Sequence, residues 1–126
     1  MKPCVLLVDD DPRNRFALRE ALEGLEAEVV EADSGEAALR EFLAREFACV
    51  LLDVAMPGLD GFEIAAEIRK CERTRRTPII FVSAHPDRRD RSGEVDGDPY
   101  LLKPLSPYVV RAMVAERLQE FRLAHP

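Results

Sequence analysis

The chain has 126 residues, 47% of them hydrophobic, which is enough to fill one core without disulfides or a structural metal, so we expect a single domain over residues 1–126. The formal net charge of −6 disfavours direct binding to nucleic acid, which relies on an excess of Lys and Arg facing the phosphates. No run approaches the roughly 20 apolar residues of a membrane span, and the N-terminus lacks the apolar stretch of a signal peptide, so we expect a cytoplasmic protein without a membrane partner.

Short aliphatic runs alternate along the chain with longer stretches of helical spacing. The predicted strands are residues 5–8, 28–32, 48–53, 78–83 and 100–102. The central parts of the first, third and fourth runs are continuously apolar, as expected of strands that helices bury on both faces. Glu28 and Glu31 flank the two valines of the second run, which places that strand nearer an edge. The alternation predicts an α/β fold, a (βα)₅ chain wound into an open, doubly wound parallel sheet.

Four stripes of apolar residues at helical spacing lie between or after these strands. They comprise Leu18, Ala21, Leu22 and Leu25; Ala38, Leu39, Phe42 and Leu43; Ile64, Ala65, Ile68 and Cys71; and Val110, Met113, Val114, Leu118 and Phe121. Asp11, which precedes Pro12, and Ser34 have the residue types of helix N-caps, and Gly24 fits near the end of the first helix. These stripes predict four amphipathic helices.

The segment from Pro86 to Pro99 breaks the alternation. Its one sizeable apolar residue is Val95, so no continuous buried stripe can be drawn through it. We therefore expect the fourth helix of the (βα)₅ pattern to be short, poorly ordered or absent.

The three cysteines, Cys4, Cys49 and Cys71, stand far apart in the sequence. Their number is odd, no Cys-x-x-Cys pair occurs, and the histidines are not clustered, so neither a disulfide framework nor a zinc site is indicated. We expect all three to be small core residues.

Polar and charged residues follow four of the five predicted strands. Asp9-Asp10-Asp11 follows the first strand, Asp53 ends the third, Ser83-Ala84 ends the fourth, and Lys103-Pro104 follows the fifth. In an open α/β sheet ligands bind at the carboxyl ends of the strands, because loops and helix N-termini converge there. Asp11 is explained by its position as a helix cap, which leaves Asp9 and Asp10 for another role.

This combination of residue types suits phosphoryl chemistry. Asp9 and Asp10 beside Asp53 would place like charges a few ångströms apart, which costs stability unless a cation offsets the repulsion. Oxygen ligands of this kind suit Mg²⁺, although an acidic turn without a metal is the alternative. A carboxylate such as Asp53 can attack phosphorus, and a lysine, a hydroxyl and a backbone N–H can stabilise phosphoryl oxygens. Taken singly, each residue also fits an ordinary strand end, turn or surface loop.

Four separated blocks resemble, in order and spacing, the signature blocks of response-regulator receiver domains. The blocks are Val8-Asp9-Asp10-Asp11-Pro12, Leu52-Asp53-Val54-Ala55-Met56-Pro57-Gly58-Leu59-Asp60-Gly61, Phe81-Val82-Ser83-Ala84 and Tyr100-Leu101-Leu102-Lys103-Pro104. The resemblance covers essentially the whole chain and implies a flavodoxin-like, five-stranded parallel sheet in the order 2-1-3-4-5. The chain departs from the family between Ser83 and Tyr100, where it is shorter and more polar.

The resemblance also implies a function. Asp53 would be the phosphoacceptor, and it would take its phosphoryl group from a histidine kinase, a histidine phosphotransfer protein or a small phosphodonor. The implied Mg²⁺ ligands are Asp9, Asp10, Asp53 and the backbone carbonyl of Ala55. The implied phosphoryl contacts are Lys103, Ser83 and the Ala84 backbone N–H, with Tyr100 as the switch aromatic and a cis bond between Lys103 and Pro104. The chain would be a signalling switch rather than a turnover enzyme, monomeric or weakly dimeric, that acts on a protein partner of unknown identity.

Two other functions are compatible with an α/β fold that carries these acids. A degenerate receiver signals without phosphorylation, but such a module would lack an acid or the lysine, and none is missing here. An Asp-dependent phosphatase usually carries two acids two residues apart after its first strand, whereas Asp9 and Asp10 are adjacent and Asp53 is on the third strand. No output domain follows the last predicted helix, so we expect a stand-alone receiver or one excised from a larger protein such as a hybrid kinase.

Overall fold

Strands and helices alternate along the chain as predicted. In the computed structural model, which describes residues 2–84, 94–95 and 98–126, the strands are β1 (Cys4–Val8), β2 (Glu28–Ala32), β3 (Cys49–Asp53), β4 (Ile79–Ser83), β5 (Glu94–Val95) and β6 (Asp98–Leu102). The helices are α1 (Pro12–Ala21), α2 (Gly35–Ala44), α3 (Gly61–Lys70) and α4 (Pro107–Ala124). The predicted strands are all present, and their ends differ from the prediction by at most two residues.

The strands form one sheet in the order β2-β1-β3-β4-β6-β5. Five of them, β1, β2, β3, β4 and β6, pair in parallel. Since β6 is the fifth of the predicted strands, this confirms the predicted order 2-1-3-4-5. The two-residue β5 pairs antiparallel with β6 and was not predicted, because so short a pairing leaves no periodic pattern in the sequence. The prediction of a weak fourth helix concerns residues that lie outside the described ranges, apart from 94–95 and 98–99, which are in strands.

Helices cover both faces of the sheet. Alternate residues of β1 show how: Leu6 and Val8 face the layer of α2 and α3, whereas Val5 and Leu7 face the layer of α1 and α4. The continuously apolar strands are therefore explained by burial on both sides. Within the described part of the chain, no helix combines the length and apolarity that a membrane crossing requires.

Each helix begins with a capping residue at the carboxyl edge of the sheet. The caps are Asp11, Ser34, Asp60 and Ser106, and each side chain accepts a hydrogen bond from a backbone N–H in the first turn. Asp60 and Glu63 form a reciprocal capping box at the start of α3. The predicted caps Asp11 and Ser34 are confirmed, and the four caps fix the helix N-termini beside the strand ends.

Two residues of the predicted apolar stripes lie at the surface instead of in the core. Leu43, near the end of α2, is 82% exposed. Cys71 is exposed because α3 ends at Lys70 and the backbone of Cys71 is already extended. Cys49 is buried and Cys4 is half-buried, so the prediction of core cysteines is right for Cys49 and wrong for Cys71.

Gly61 allows α3 to begin directly against the end of β3. A Cβ at this position would lie 2.6 Å from the carbonyl oxygen of Asp53 and 2.9 Å from Cα of Val54. Gly35 holds the corresponding first position of α2, where a Cβ would lie 2.7 Å from Cβ of Leu59 and 3.1 Å from Cδ1 of Ile64. The obstacle at Gly61 is backbone at the end of a central strand, whereas the nearest obstacle at Gly35 is the Cβ of a loop residue, which moves only with its own backbone.

We expect Gly61→Ala to destabilise the domain more than Gly35→Ala. Both substitutions fall at the first residue of a helix, so the gain in helix propensity is the same and cancels. The backbone of Asp53 and Val54 lies at the end of a central strand and cannot move aside alone, whereas Leu59 lies in a loop that can shift with its Cβ. Gly61→Ala should therefore lower the free energy of unfolding by about 2 to 3 kcal/mol, against about 1 to 2 kcal/mol for Gly35→Ala. Urea unfolding of the two variants measures the difference, and equal losses would contradict the close-approach argument.

Candidate functional site

Three carboxylates meet at the carboxyl edge of the sheet. Asp9 and Asp10 follow β1 and Asp53 ends β3, and one carboxylate oxygen of each lies within 4.8 Å of the others. The strands β1 and β3 are neighbours, with Val8 paired to Leu52, so their ends come side by side. Asp9 and Asp53 are buried, whereas Asp10 is exposed. The structure thus brings together the three acidic side chains that the sequence suggested as metal ligands.

Lys103 lies between the two buried carboxylates. Its Nζ is 3.7 Å from Oδ2 of Asp9 and 3.6 Å from Oδ1 of Asp53. The backbone N–H of Lys103 donates to the carbonyl oxygen of Ser83 at 2.8 Å, which extends the pairing of β4 and β6 up to the site. The bond between Lys103 and Pro104 is cis, as the resemblance implies.

The site holds more negative charge than the nearby lysine balances. Burial raises the pKa of the Asp53 carboxyl to about 6, and the charges of Asp9 and, less strongly, Asp10 act in the same direction. Lys103 and a hydrogen bond from the backbone N–H of Ala55 oppose this rise in pKa. A cluster of oxygen donors with excess negative charge is suited to a hard divalent cation.

The other predicted site residues lie on the strand ends and loops around these acids. Ser83 ends β4 and is buried, one residue beyond Val82, which pairs with Asp53. Ala84, which follows Ser83, is exposed, as is Ala55 in the loop between β3 and α3. Both loops leave the strands at the edge that carries the carboxylates.

Tyr100 is buried in β6 instead of lying on the rim of the sheet. Its side chain is 3% exposed, and its ring stacks on that of Phe62 with a centroid distance of 6.3 Å. Phe81, its pairing partner in β4, packs against both rings. The aromatic side chain of Tyr100 therefore already points inward.

Sequence reasoning missed Arg15. Nη1 of Arg15 donates to the backbone carbonyl of Asp9 at 2.6 Å, and Nε donates to the carboxylate of Glu31 at 2.8 Å. Arg19 donates to the same carboxylate. Although burial opposes the change, hydrogen bonds from the two arginines lower the pKa of Glu31, which keeps this acid ionised between them. The available signal was the spacing of four between Arg15 and Arg19, which places both on one face of α1.

A cleft of about 800 Å³ borders the site on the side of α1. Asp9 and Lys103 line it together with apolar parts of α1 and of the loop between β6 and α4. The cleft was not predicted, since its walls come from distant parts of the sequence.

The chain matches the family model of the response regulator receiver domain over residues 5–115. It belongs to this family. Receiver domains are switches of two-component signalling rather than turnover enzymes, and the sequence-based family assignment is confirmed.

Individual relatives agree with this assignment. The transcriptional regulatory protein SrrA of Staphylococcus aureus is 35% identical over 105 residues, which make up 82% of this chain and 42% of SrrA. This receiver domain thus spans about two fifths of the length of the curated relatives it matches. The response regulator TrrA of Thermotoga maritima, in complex with Mg²⁺-BeF, has 34% identity and a TM-score of 0.77 over 93% of this chain and 99% of its own. The chemotaxis response regulator CheY4 of Vibrio cholerae has 27% identity and a TM-score of 0.80 over 93% of this chain and 99% of its own.

We expect Asp53→Asn to stabilise the metal-free domain at neutral pH. Folding raises the pKa of Asp53 from 3.8 to about 6, so the stability that its carboxyl contributes is fully present below about pH 4 and is lost as the pH rises through 6. Urea unfolding should show the variant more stable than wild type by about 2 kcal/mol at pH 8 and nearly equal to it at pH 4.

Excess Mg²⁺ should reduce this difference in the free energy of unfolding at pH 8. Only the wild type keeps all three carboxylates, so binding of the ion should stabilise it more than the variant. A difference in stability that is independent of pH would contradict the electrostatic account of the site.

Proposed function

We propose that this receiver domain accepts a phosphoryl group on Asp53 from the phosphohistidine of a histidine kinase or of a histidine phosphotransfer protein. The observation that carries the proposal is the meeting of three carboxylates with the Lys103 ammonium group at one edge of the sheet. Membership of the receiver family supports it. The domain would act as a phosphorylation switch in a two-component phosphorelay.

Asp53 is the nucleophile in this proposal. One of its carboxylate oxygens attacks phosphorus, the new O–P bond forms as the N–P bond of phosphohistidine breaks, and the imidazole leaves with the bonding electron pair. The leaving nitrogen is protonated from solvent where it is not already protonated. The product is an aspartyl phosphate on β3, next to Asp9 and Lys103.

Asp9, Asp10 and Asp53, with the backbone carbonyl of Ala55, would hold Mg²⁺. The donors fit this ion, because all are oxygens and their charge is incompletely balanced by Lys103. The relative TrrA, described in complex with Mg²⁺-BeF, supports magnesium as the ion. When bound, Mg²⁺ would supply positive charge opposite the phosphoryl oxygens.

Lys103, Ser83 and Ala84 would contact the oxygens of the phosphoryl group on Asp53. The ammonium of Lys103 donates to one oxygen, the hydroxyl of Ser83 to another and the backbone N–H of Ala84 to a third. Tyr100, buried beside Phe81, is the proposed switch aromatic, since a movement of Ser83 changes the packing of the strand pair that holds both rings. Phosphorylation would thereby alter a partner-binding surface near β6 and α4.

The proposed partners are proteins. The upstream partner carries the phosphohistidine, and the downstream partner binds the altered surface. The net charge of −6 disfavours direct contact with nucleic acid. We further propose that residues 1–126 act as one cytoplasmic domain, monomeric or weakly dimeric.

Labelling with acetyl phosphate or phosphoramidate and Mg²⁺ tests the proposed function. Wild type should gain the mass of one phosphoryl group and Asp53→Asn should gain none, because the variant lacks the nucleophile. Asp33→Asn, which changes the exposed aspartate after β2, is the matched control and should label like wild type. Intact-mass spectrometry measures all three.

Two outcomes of this experiment, and one outcome of a separate phosphatase assay, would change the assignment. Equal labelling of Asp53→Asn and wild type would remove Asp53 as the acceptor. An unlabelled wild type at saturating donor would favour a receiver that signals without phosphorylation. Sustained release of phosphate from a small ester, lost in Asp53→Asn, would indicate a phosphatase.

Lys103→Met should separate metal binding from phosphoryl transfer. Removing a cation 3.6–3.7 Å from two ligand carboxylates should leave the affinity for Mg²⁺ unchanged or higher. The rate of labelling should nevertheless fall at least about tenfold, because the phosphoryl oxygens lose a charged donor. Lys70→Met, at an exposed lysine near the end of α3, is the control. A labelling rate equal to that of wild type would exclude Lys103 from the reaction.

A further inference from the structure

Arg15 connects the acidic turn after β1 to two neighbouring elements. The residue is on α1, its side chain is 15% exposed, and it donates at once to the carbonyl oxygen of Asp9 and to Glu31 of β2. Glu31 is held in turn by Arg19, whose Nε donates to it at 2.8 Å. The Arg15 guanidinium group is therefore held by two acceptors of the protein itself, and its position does not depend on a bound ligand.

The carbonyl that Arg15 contacts belongs to the peptide unit that joins Asp9 to Asp10. Because a peptide unit is planar, holding its oxygen restricts the backbone rotation that directs the side chain of Asp10. The other side of the turn is held by Asp9, whose N–H donates to the carbonyl of Ala32 at 3.1 Å and whose carboxylate accepts from the N–H of Asp11 at 2.9 Å. Arg15 adds a charge-assisted hydrogen bond, which is stronger than those between neutral groups.

We propose that Arg15 is a positioning residue for the metal site: by holding the carbonyl of Asp9, it keeps the carboxylates of Asp9 and Asp10 directed at the cation that they would share with Asp53. This inference rests on the function proposed above. Arg15 contacts neither the metal nor the phosphoryl group in this proposal, and acts through the backbone between two ligands.

Two effects of Arg15 on a bound cation have opposite signs. Its positive charge repels Mg²⁺, although Glu31 offsets part of that charge, so a purely electrostatic role predicts tighter binding when Arg15 is removed. The positioning role predicts weaker binding, because the two carboxylates lose their fixed orientation. The direction of the change in Mg²⁺ affinity therefore separates the two roles.

Arg15→Met and Arg19→Met form a matched pair for this test. Both arginines lie on α1, and each donates to Glu31 and to one backbone carbonyl, that of Asp9 for Arg15 and that of Val29 for Arg19. Calorimetric titration with MgCl₂ should give an affinity about tenfold weaker for Arg15→Met and within about twofold of wild type for Arg19→Met. Both variants should lose similar thermal stability, since both lose an ion pair with Glu31.

Amide hydrogen exchange in metal-free protein gives a second measure that does not involve the ion. The N–H of Asp11 should exchange faster in Arg15→Met than in Arg19→Met, because the turn that directs it at Asp9 is no longer held. Arg15→Gln, whose side chain is polar but too short to span both acceptors, should behave like Arg15→Met and covers the case in which the Met variant does not fold.

The outcomes distinguish this inference from the proposed function. An Mg²⁺ affinity of the Arg15 variants equal to or tighter than that of Arg19→Met, with Asp10→Asn clearly weakened, would overturn the role of Arg15 and leave the metal site intact. Failure of the wild type to bind Mg²⁺ would overturn both. We expect weaker Mg²⁺ binding in the Arg15 variants and not in Arg19→Met, together with faster hydrogen exchange at the N–H of Asp11.

Discussion

The buried carboxylates of Asp9 and Asp53 share the ammonium group of Lys103, and the rest of the site depends on this unequal balance of charge. Burying an ion costs several kcal/mol unless opposite charges and hydrogen bonds compensate. One lysine 3.6–3.7 Å from each acid compensates only in part, which is why the pKa of Asp53 remains raised to about 6. The negative charge that remains makes this edge of the sheet suited to a cation. A phosphoryl group that arrives at Asp53 would be anionic, so the same cation would be needed to admit it.

Mutually repelling groups stay together only if the backbone that carries them is rigid. The parallel pairing of β1 with β3 fixes the distance between the two strand ends. Gly61 lets α3 pack directly on the peptide after Asp53, so the loop that leaves β3 has little freedom. On the other side, the contact of Arg15 with the carbonyl of Asp9 restrains the acidic turn. The acids are thus held from α3 on one side and from α1 and β2 on the other. A substitution such as Gly61→Ala would disturb the first of these two supports.

The sequence predicted those features that local pattern and topology determine. Continuous apolar runs gave the strands, and the rule that parallel strand ends share one edge was enough to bring Asp9, Asp53 and Lys103 together. Leu43 and Cys71 were misplaced because the apolar spacing continues past the point where the helix leaves the core or ends, which spacing alone does not mark. The spacing of Arg15 and Arg19 indicates only a shared helix face, and it does not identify their partner Glu31, which lies 16 residues beyond Arg15 and is brought near by the pairing of β1 with β2. The antiparallel β5 has too few residues to produce a periodic signal.

The route by which phosphorylation would reach the surface follows from how Lys103 is attached. The ammonium group of Lys103 now lies between the carboxylates of Asp9 and Asp53. A phosphoryl group on Asp53 would place new negative oxygens farther from the β3 backbone, so the ammonium group should shift toward them. The backbone N–H of Lys103 donates to the carbonyl of Ser83, so any part of this shift that the Lys103 backbone follows would be passed to the ends of β4 and β6. Those two strands also carry Phe81 and Tyr100, whose rings pack with Phe62 of α3. The groups that would contact the phosphoryl oxygens and the aromatic cluster therefore share one pair of strands. The β2 edge, in contrast, is tied to α1 by the arginine pair, so the proposed switch should act on the β6 side of the sheet.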